Sequence, residues 1–265
     1  MRRSAWLAQV SALPVAVSLL GLTAGAARAD AVHDELAPGG RLRVAIAVSP
    51  LGGPFWSAKL PNGNPSGVPV DLGLELARRL DAVPSYVIYQ NSGQITDGAA
   101  RGEWDVAFLP MDADRAALLA FGPIYSSEDA TYIVRSGLNV TTPDQLDVPG
   151  MRIAAVANTT TMRGAQRSLK NVTIVGYQSA ADIVAMLRGG EIDAFANLRD
   201  QLLPLSATIP GSRVLPGAYQ QTRTAIAVPL GKPAALAYAA AFMRDVMTNG
   251  VLRRIYDEHG LHDLR

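Results

Sequence analysis

Trp104-Asp105-Val106-Ala107-Phe108-Leu109-Pro110-Met111-Asp112-Ala113-Asp114-Arg115 is a short apolar run that passes at once into a helix start. Asp105 to Leu109 reads as a buried strand, because its apolar residues run on without polar alternation. Pro110, Asp112 and Asp114 supply turn and helix-start chemistry, and Arg115 falls in the first turn. Strand-then-helix units build α/β sheets, which bind ligands beyond the strand ends. Arg115 is therefore the expected seat of a ligand carboxylate, since its planar fork can hold one through two charge-assisted hydrogen bonds. The other reading of Arg115 is a surface arginine paired with Asp112 or Asp114.

The same grammar extends in both directions. Leu42, Val44, Ile46 and Val48 start a first strand, followed by a Gly/Pro-rich loop that carries Phe55 and Trp56. Asp71 is read as opening a helix, with Leu72, Leu76 and Leu80 on one face. Val83 to Tyr89 is a second strand, and a short helix before Gly102 leads back to the Asp105 strand. Phe121 to Tyr125 and Thr131 to Arg135 read as two separate extended runs, with a second unit beginning near Arg135. Within it, strand Arg152 to Val156 meets the turn Asn158-Thr159-Thr160-Thr161, which caps a helix through Leu169. A strand Val172 to Val175 follows, then a helix from Ser179 to Gly189-Gly190 and a buried strand Ile192 to Asn197. Thr222 to Val228 reads as a return to the first unit, with helices over Pro233 to Met247 and Val251 to His259.

This alternation predicts an α/β fold of two lobes, each a mainly parallel sheet flanked by helices, joined by a hinge of two crossings. The expected division is 30–134 with 222–265 as lobe 1 and 135–221 as lobe 2. Residues 1–29 read as a cleaved signal peptide, with Arg2-Arg3, an apolar stretch from Ser11 to Ala24 and the small-x-small site Ala27-Arg28-Ala29. Its removal leaves 21 of the 24 basic residues against 23 acidic ones, so no basic footprint for nucleic acid exists. The chain holds no cysteine, which excludes a disulfide framework and a lipid-attachment thiol. The expected product is a periplasmic monomer.

Several stretches together resemble the family 3 periplasmic solute-binding proteins of polar amino-acid type. In the first unit they are Gly67-Val68-Pro69-Val70-Asp71-Leu72, Leu76-Ala77-Arg78-Arg79-Leu80, Gly102-Glu103-Trp104-Asp105-Val106, Arg115 and Phe121-Gly122-Pro123-Ile124-Tyr125. In the second they are Met151-Arg152-Ile153-Ala154, Asn158-Thr159-Thr160 and Leu187-Arg188-Gly189-Gly190-Glu191-Ile192-Asp193-Ala194. The resemblance implies that Arg115 grips a ligand carboxylate, that the Asn158-Thr159-Thr160 turn adds donors, and that an inner-membrane ABC permease receives the solute. It also implies an acid for the ligand's amino group, but Leu198 stands at that place. Asn158 replaces a usual glycine, and Phe108, Leu109 and Pro110 replace usual serines.

The candidate ligand-binding set is Arg115, Asn158, Thr159, Thr160, Asp112, Trp56, Phe55 and Asn197. Thr159 and Thr160 sit at a helix N-terminus, where free N–H groups favour an anion, and plain capping is their other role. Asp112 has three roles open to it: capping, orienting Arg115, or receiving a ligand cation. Phe55 and Trp56 either floor the pocket or anchor their loop, and Asn197 is a neutral substitute for the missing acid. Trp104 is read as packing at a strand edge. No Ser-His-Asp set, metal signature or cofactor motif is legible. The expected function is capture of a small carboxylated solute, an amino acid or related organic acid. The alternatives are a lyase of cyclohexadienyl dehydratase type, for which Glu128 is the nearest acid, and an accessory binding protein serving a sensor or dehydrogenase.

Overall fold

The structure is a computed structural model that describes residues 29–262 apart from Pro50 and Pro54. Residues 1–28 of the expected signal peptide lie outside the described residues, and its last residue, Ala29, opens helix α1. Helix α1 (29–36) precedes β1 (Arg41–Ala47), a two-residue hairpin of β2 (Ala58–Lys59) and β3 (Pro65–Ser66), α2 (Val68–Arg79), β4 (Val83–Tyr89), α3 (Ser92–Ala100), β5 (Val106–Met111), α4 (Ala113–Ala116) and β6 (Leu119–Val134). Then come β7 (Ile153–Val156), α5 (Thr160–Ser168), β8 (Ile174–Tyr177), α6 (Ala180–Gly189), β9 (Ala194–Leu198), α7 (Arg199–Ser206), β10 (Arg213–Val214), β11 (Gln220–Pro229), α8 (Pro233–Thr248) and α9 (Val251–Glu258).

The strands form one ladder in the order β4-β1-β5-β11-β6-β9-β7-β8, with β10 added to β6. Pairing is parallel within each outer block, and β11 and β6 are antiparallel to each other and to their neighbours. The two separate runs expected at Phe121 to Tyr125 and Thr131 to Arg135 are one strand of 16 residues. The polar stretch between them is kept extended by register pairing with β11, Gln220 to Ala130 and Thr224 to Ser126, which local sequence cannot reveal. The expected strand at Val172 to Val175 forms two residues later, as β8.

Two lobes follow from where the apolar side chains meet. Leu42, Val44, Leu72, Leu76, Phe108, Ile226 and Phe242 form the first-lobe core with α2, α8 and α9, and Ile95, Trp104, Ala107 and Leu119 fill its opposite face. In the second lobe, Tyr132, Ile153, Leu169 and Ala196 pack on one face of the sheet, and Ile133, Ile183, Phe195 and Leu202 on the other. Trp104 is fully buried, and its indole donates to the Ile95 carbonyl at 2.8 Å, so it lies inside the core and not at a strand edge. The aromatic-edge reading misses this because α3 folds over that face.

Each lobe is tied by the same device. Asp105, just before β5, accepts from the Arg43 backbone N–H at 3.0 Å and from its guanidinium at 2.9 and 2.7 Å, while Arg43 also donates to the Gly102 carbonyl. Asp193, just before β9, accepts from the Arg152 N–H at 3.0 Å and its guanidinium at 3.0 and 2.9 Å, and Arg152 donates to Gly190. Arg135 adds a further bond to Asp193 at 2.8 Å. Both aspartates are buried, so each clamp satisfies a carboxylate that water cannot reach.

Asp71 does not open α2. Gly67 is the cap, at φ 140°, where a Cβ would lie 2.1 Å from the Trp56 carbonyl, and Pro69 fixes the first turn. Asp71 instead meets His259 Nε2 at 2.6 Å, tying α2 to the end of α9.

Replacing Asp105 or Asp193 by Ala leaves a guanidinium without its buried partner and is expected to lower stability by about 3 kcal/mol, read as a shifted urea midpoint at unchanged slope. The Asp193 carboxyl is held well below the usual carboxylate range, first by the Arg152 guanidinium. Its contribution is thus present above about pH 4 and is lost as pH falls below that value. Asp193→Asn should flatten this part of the acid limb of stability against pH.

Candidate functional site

The strand ends of both lobes face each other across a cavity holding about 610 Å³ of empty space, its mouth included. Ala47, Ser49, Gly52, Trp56, Gln90, Asn91, Ser92 and Pro110 line it from the first lobe, and Val156, Thr159, Thr160, Thr161, Ala180, Asn197, Leu198 and Gln201 from the second. No Asp, Glu, Lys or Arg lies among them. The wall is uncharged, its polar groups set in a mainly apolar surface.

The second-lobe wall is built on the start of α5. Thr159 is the N-cap, its Oγ1 accepting from Met162 N–H at 3.2 Å and donating to the Val156 carbonyl at 2.7 Å. Thr160 and Thr161 follow in the first turn, where backbone amides point out of the helix and its dipole is positive. Their carbonyls are fixed from β11 and the turn before it: Gln220 donates to Thr160 and Tyr219 to Thr161, both at 3.0 Å. Gly164 lets Gln220 approach, since a Cβ there would overlap its amide oxygen at 1.9 Å.

Arg115 is placed behind the opposite wall. It is 1 % exposed, and its guanidinium donates to the Pro110 carbonyl at 2.8 Å, Ser92 Oγ at 2.8 Å and the Asn158 carbonyl at 3.3 Å. Pro110 and Ser92 line the cavity and Arg115 does not. Burial and the like charge of Arg163 push Arg115 down to about 9, which still leaves it cationic at neutral pH. Its charge therefore reaches the cavity through Ser92 and the peptide of Pro110.

The remaining candidates divide. Thr159, Thr160, Trp56 and Asn197 all line the cavity. Phe55 is buried in the first-lobe core, its ring 6.1 Å from Tyr125 and stacked, so it anchors the loop that presents Trp56. Asn158 takes a left-handed φ of 58° and turns its carbonyl to Arg115 and to Arg163, which is 3.1 Å away. Asp112 caps α4 by accepting from Arg115 N–H at 2.9 Å, and its other oxygen accepts from Arg163 of α5 at 2.8 and 2.5 Å.

Arg163, Gly93 and the Gln90-Asn91-Ser92 turn are absent from the sequence-derived set. Gln90 and Ser92 line the cavity, and Arg163, Gly93 and Asn91 belong to the contact between lobes. Arg163 pairs with Asp112 across the cleft, and Asn91, which caps α3, donates to the Gln178 carbonyl of the second lobe at 3.1 Å. Gly93 allows the closest approach, because a Cβ on it would stand 2.6 Å from Asn158 Cβ. Only Asn91 carried a local signal, as a helix cap three residues before Gln94. Loop residue Leu51 also crosses to pack on the second-lobe core.

Residues 44–262 match the model of the bacterial extracellular solute-binding proteins, family 3. The chain belongs to that family. This family 3 solute-binding protein is similar in fold to a mutant of ArgBP from T. maritima, with TM-score 0.73 and 21 % identity over 87 % of this chain and 98 % of that one. A protein from Wolinella succinogenes DSM 1740 complexed with lysine gives TM-score 0.72 and 20 % identity over 83 % and 95 %. An ancestral amino acid-binding protein described as a precursor of cyclohexadienyl dehydratase gives 0.71 and 21 % over 85 % and 97 %. No curated protein sequence matches the chain. At these identities the likeness extends to the two-lobed fold alone.

Gly93→Ala in this solute-binding protein is expected to wedge the lobes apart while leaving each lobe intact. Alanine in place of glycine stabilises a helix by up to about 1 kcal/mol, so the melting temperature should hold while small-angle scattering reads a larger radius of gyration. Arg163→Ala should open the molecule in the same direction, by about 1.5–3 kcal/mol in the closure equilibrium.

Proposed function

We propose that this family 3 protein captures a small solute carrying one carboxylate and no cationic amino group, and delivers it to an inner-membrane ABC permease. The observation that carries the reading is the uncharged cavity wall set between the α5 N-terminus and the buried Arg115. A carboxylate placed there meets the Thr159 to Thr161 turn, with the guanidinium charge one layer behind. An α-ammonium would meet no acid, because Asn197 and Leu198 occupy that end of β9. A keto, hydroxy or aromatic monocarboxylate fits this complement better than arginine or lysine, whose second cation would also lie against a neutral wall.

Capture works by closure of the lobes taken as 30–134 with 222–265 against 135–221, with the end of β6 at Tyr132 and Ile133 reaching into the second-lobe core. The ligand bridges the two walls, and the closed form is selected because only it offers both. The N-terminal segment with its small-x-small site supports export to the periplasm, and family membership supports the transport role. The lyase alternative has weaker support, since it requires a carboxyl acid at the cavity and none lines it.

A thermal-shift screen of the mature protein over keto acids, hydroxy acids, aromatic acids, dicarboxylates and amino acids tests the proposal, because a selective ligand raises the melting temperature by mass action. Monocarboxylates without an ammonium are expected to give the largest shifts. By calorimetry with the best of them, Arg115→Gln should weaken binding about 10- to 100-fold, the Coulomb value of a unit charge one layer behind the carboxylate at an effective dielectric of about 20. Tight binding of arginine or lysine, or affinity unchanged in Arg115→Gln, would overturn the assignment.

A further inference from the structure

The hinge carries a buried acid that the binding site does not use. Glu128 lies on β6 where the chain passes between lobes, in register with Thr222 of β11. It is 6 % exposed, and among the described residues neither carboxyl oxygen accepts a hydrogen bond. Nearby Tyr125 Oη and, two residues along β11, Thr224 Oγ1 are likewise buried with no partner among the described residues.

The titratable groups that act on Glu128 come from both lobes. On the first-lobe side stand Tyr125 and Tyr256, whose hydroxyl donates to the Tyr125 carbonyl at 3.1 Å. On the second-lobe side stands Asp200, in the first turn of α7, a like charge. The cations of these elements are directed elsewhere. Arg199 of α7 lies 3.9 Å from Asp129 and donates to the Leu215 and Gly217 carbonyls. Arg253 of α9 sits over the Tyr256 ring and pairs with Asp257, and Arg223, beside Thr222 on β11, is exposed.

We propose that Glu128 couples closure of the lobes to the uptake of one proton at the hinge. A carboxylate shut in with a like charge and no donor is driven to its neutral form. Burial, with Asp200 adding to it, pushes Glu128 up to about 8 in this closed arrangement. Separating the lobes moves Asp200 and α7 away from Tyr125 and α9 and admits water, which returns Glu128 to the ordinary carboxylate range near 4.3. The closed form then holds one proton more than the open form across that interval. By linkage, the closed-to-open ratio falls about tenfold for each unit rise in pH within it and is flat outside it. The proton acts as a second ligand of the closed form.

The absence of cysteine allows a direct test without an added solute. Spin labels on Ala100→Cys of α3 and Gln166→Cys of α5, both exposed, report the distance between lobes by pulsed electron resonance at pH 5.5, 6.5, 7.5 and 8.5. The expected result is a closed population whose ratio to the open one drops by about 100-fold from pH 5.5 to 7.5. With Glu128→Gln, which keeps the shape and cannot titrate, the ratio should stay at its acid value throughout. Far-UV circular dichroism checks that the variant is folded, and Glu128→Leu serves the same purpose if glutamine is not tolerated. A change under threefold in the parent protein, or a pH course in either variant that follows the parent, overturns the proposal.

Discussion

The antiparallel ladder of β6 and β11 is the constraint on which the other features depend. These two strands are shared by both lobes, so each lobe's sheet is completed by a segment that also belongs to the other. Pairing of Gln220 with Ala130 and Thr224 with Ser126 carries hydrogen bonds through the crossing itself. The lobes can therefore rotate about a short polar stretch, but the sheet cannot part there without breaking its ladder. The register irregularity between Thr224 and Ala227 lies at the first-lobe end of this stretch, where a bulge bends a strand at little cost.

From that ladder outward, each lobe repeats one solution to one problem. Parallel strands leave their starts crowded with backbone groups, and the Arg43–Asp105 and Arg152–Asp193 clamps satisfy these with a buried carboxylate that reads both a backbone N–H and a guanidinium. The clamps hold the starts of β1, β5, β7 and β9 in register. Their far ends, where Ala47, Pro110, Val156 and Asn197 stand, are thereby aligned into facing walls. The cavity is a consequence of that alignment. Its lining is uncharged, with Arg115 withdrawn behind Pro110 and Ser92.

Much of the fold was legible, because it rests on local chemistry. The strand at Val106, the Thr159 cap, the Ser179 start and the Gly190 stop are each declared by residues within one turn of the element they bound. The internal Arg–Asp clamps left a trace in the repeated glycine-to-aspartate segments that precede β5 and β9. The site was legible in part. Asn197 could be placed at the cleft as a strand-end residue, Thr159 and Thr160 as a helix N-terminus and Trp56 as an aromatic of the loop after the first strand, and all four line the cavity. Arg163 could not, since nothing near it in the chain distinguishes it from any exposed helix arginine until Asp112, 51 residues away, is brought against it.

The sequence by itself determined the alternation of strands and helices, the caps and breaks that bound them, and the presence of one arginine beyond the β5 strand. Periodicity, side-chain capping and glycine or proline dihedrals act over a few residues and need no partner from elsewhere. Tertiary structure alone decided that Arg115 is enclosed by carbonyls from Pro110 and Asn158, that Phe55 turns inward while Trp56 turns to the cavity, and that Glu128 is buried where the chain crosses between lobes. These outcomes are set by desolvation and by charges brought together across the cleft, quantities that exist only once distant segments share one low-dielectric space.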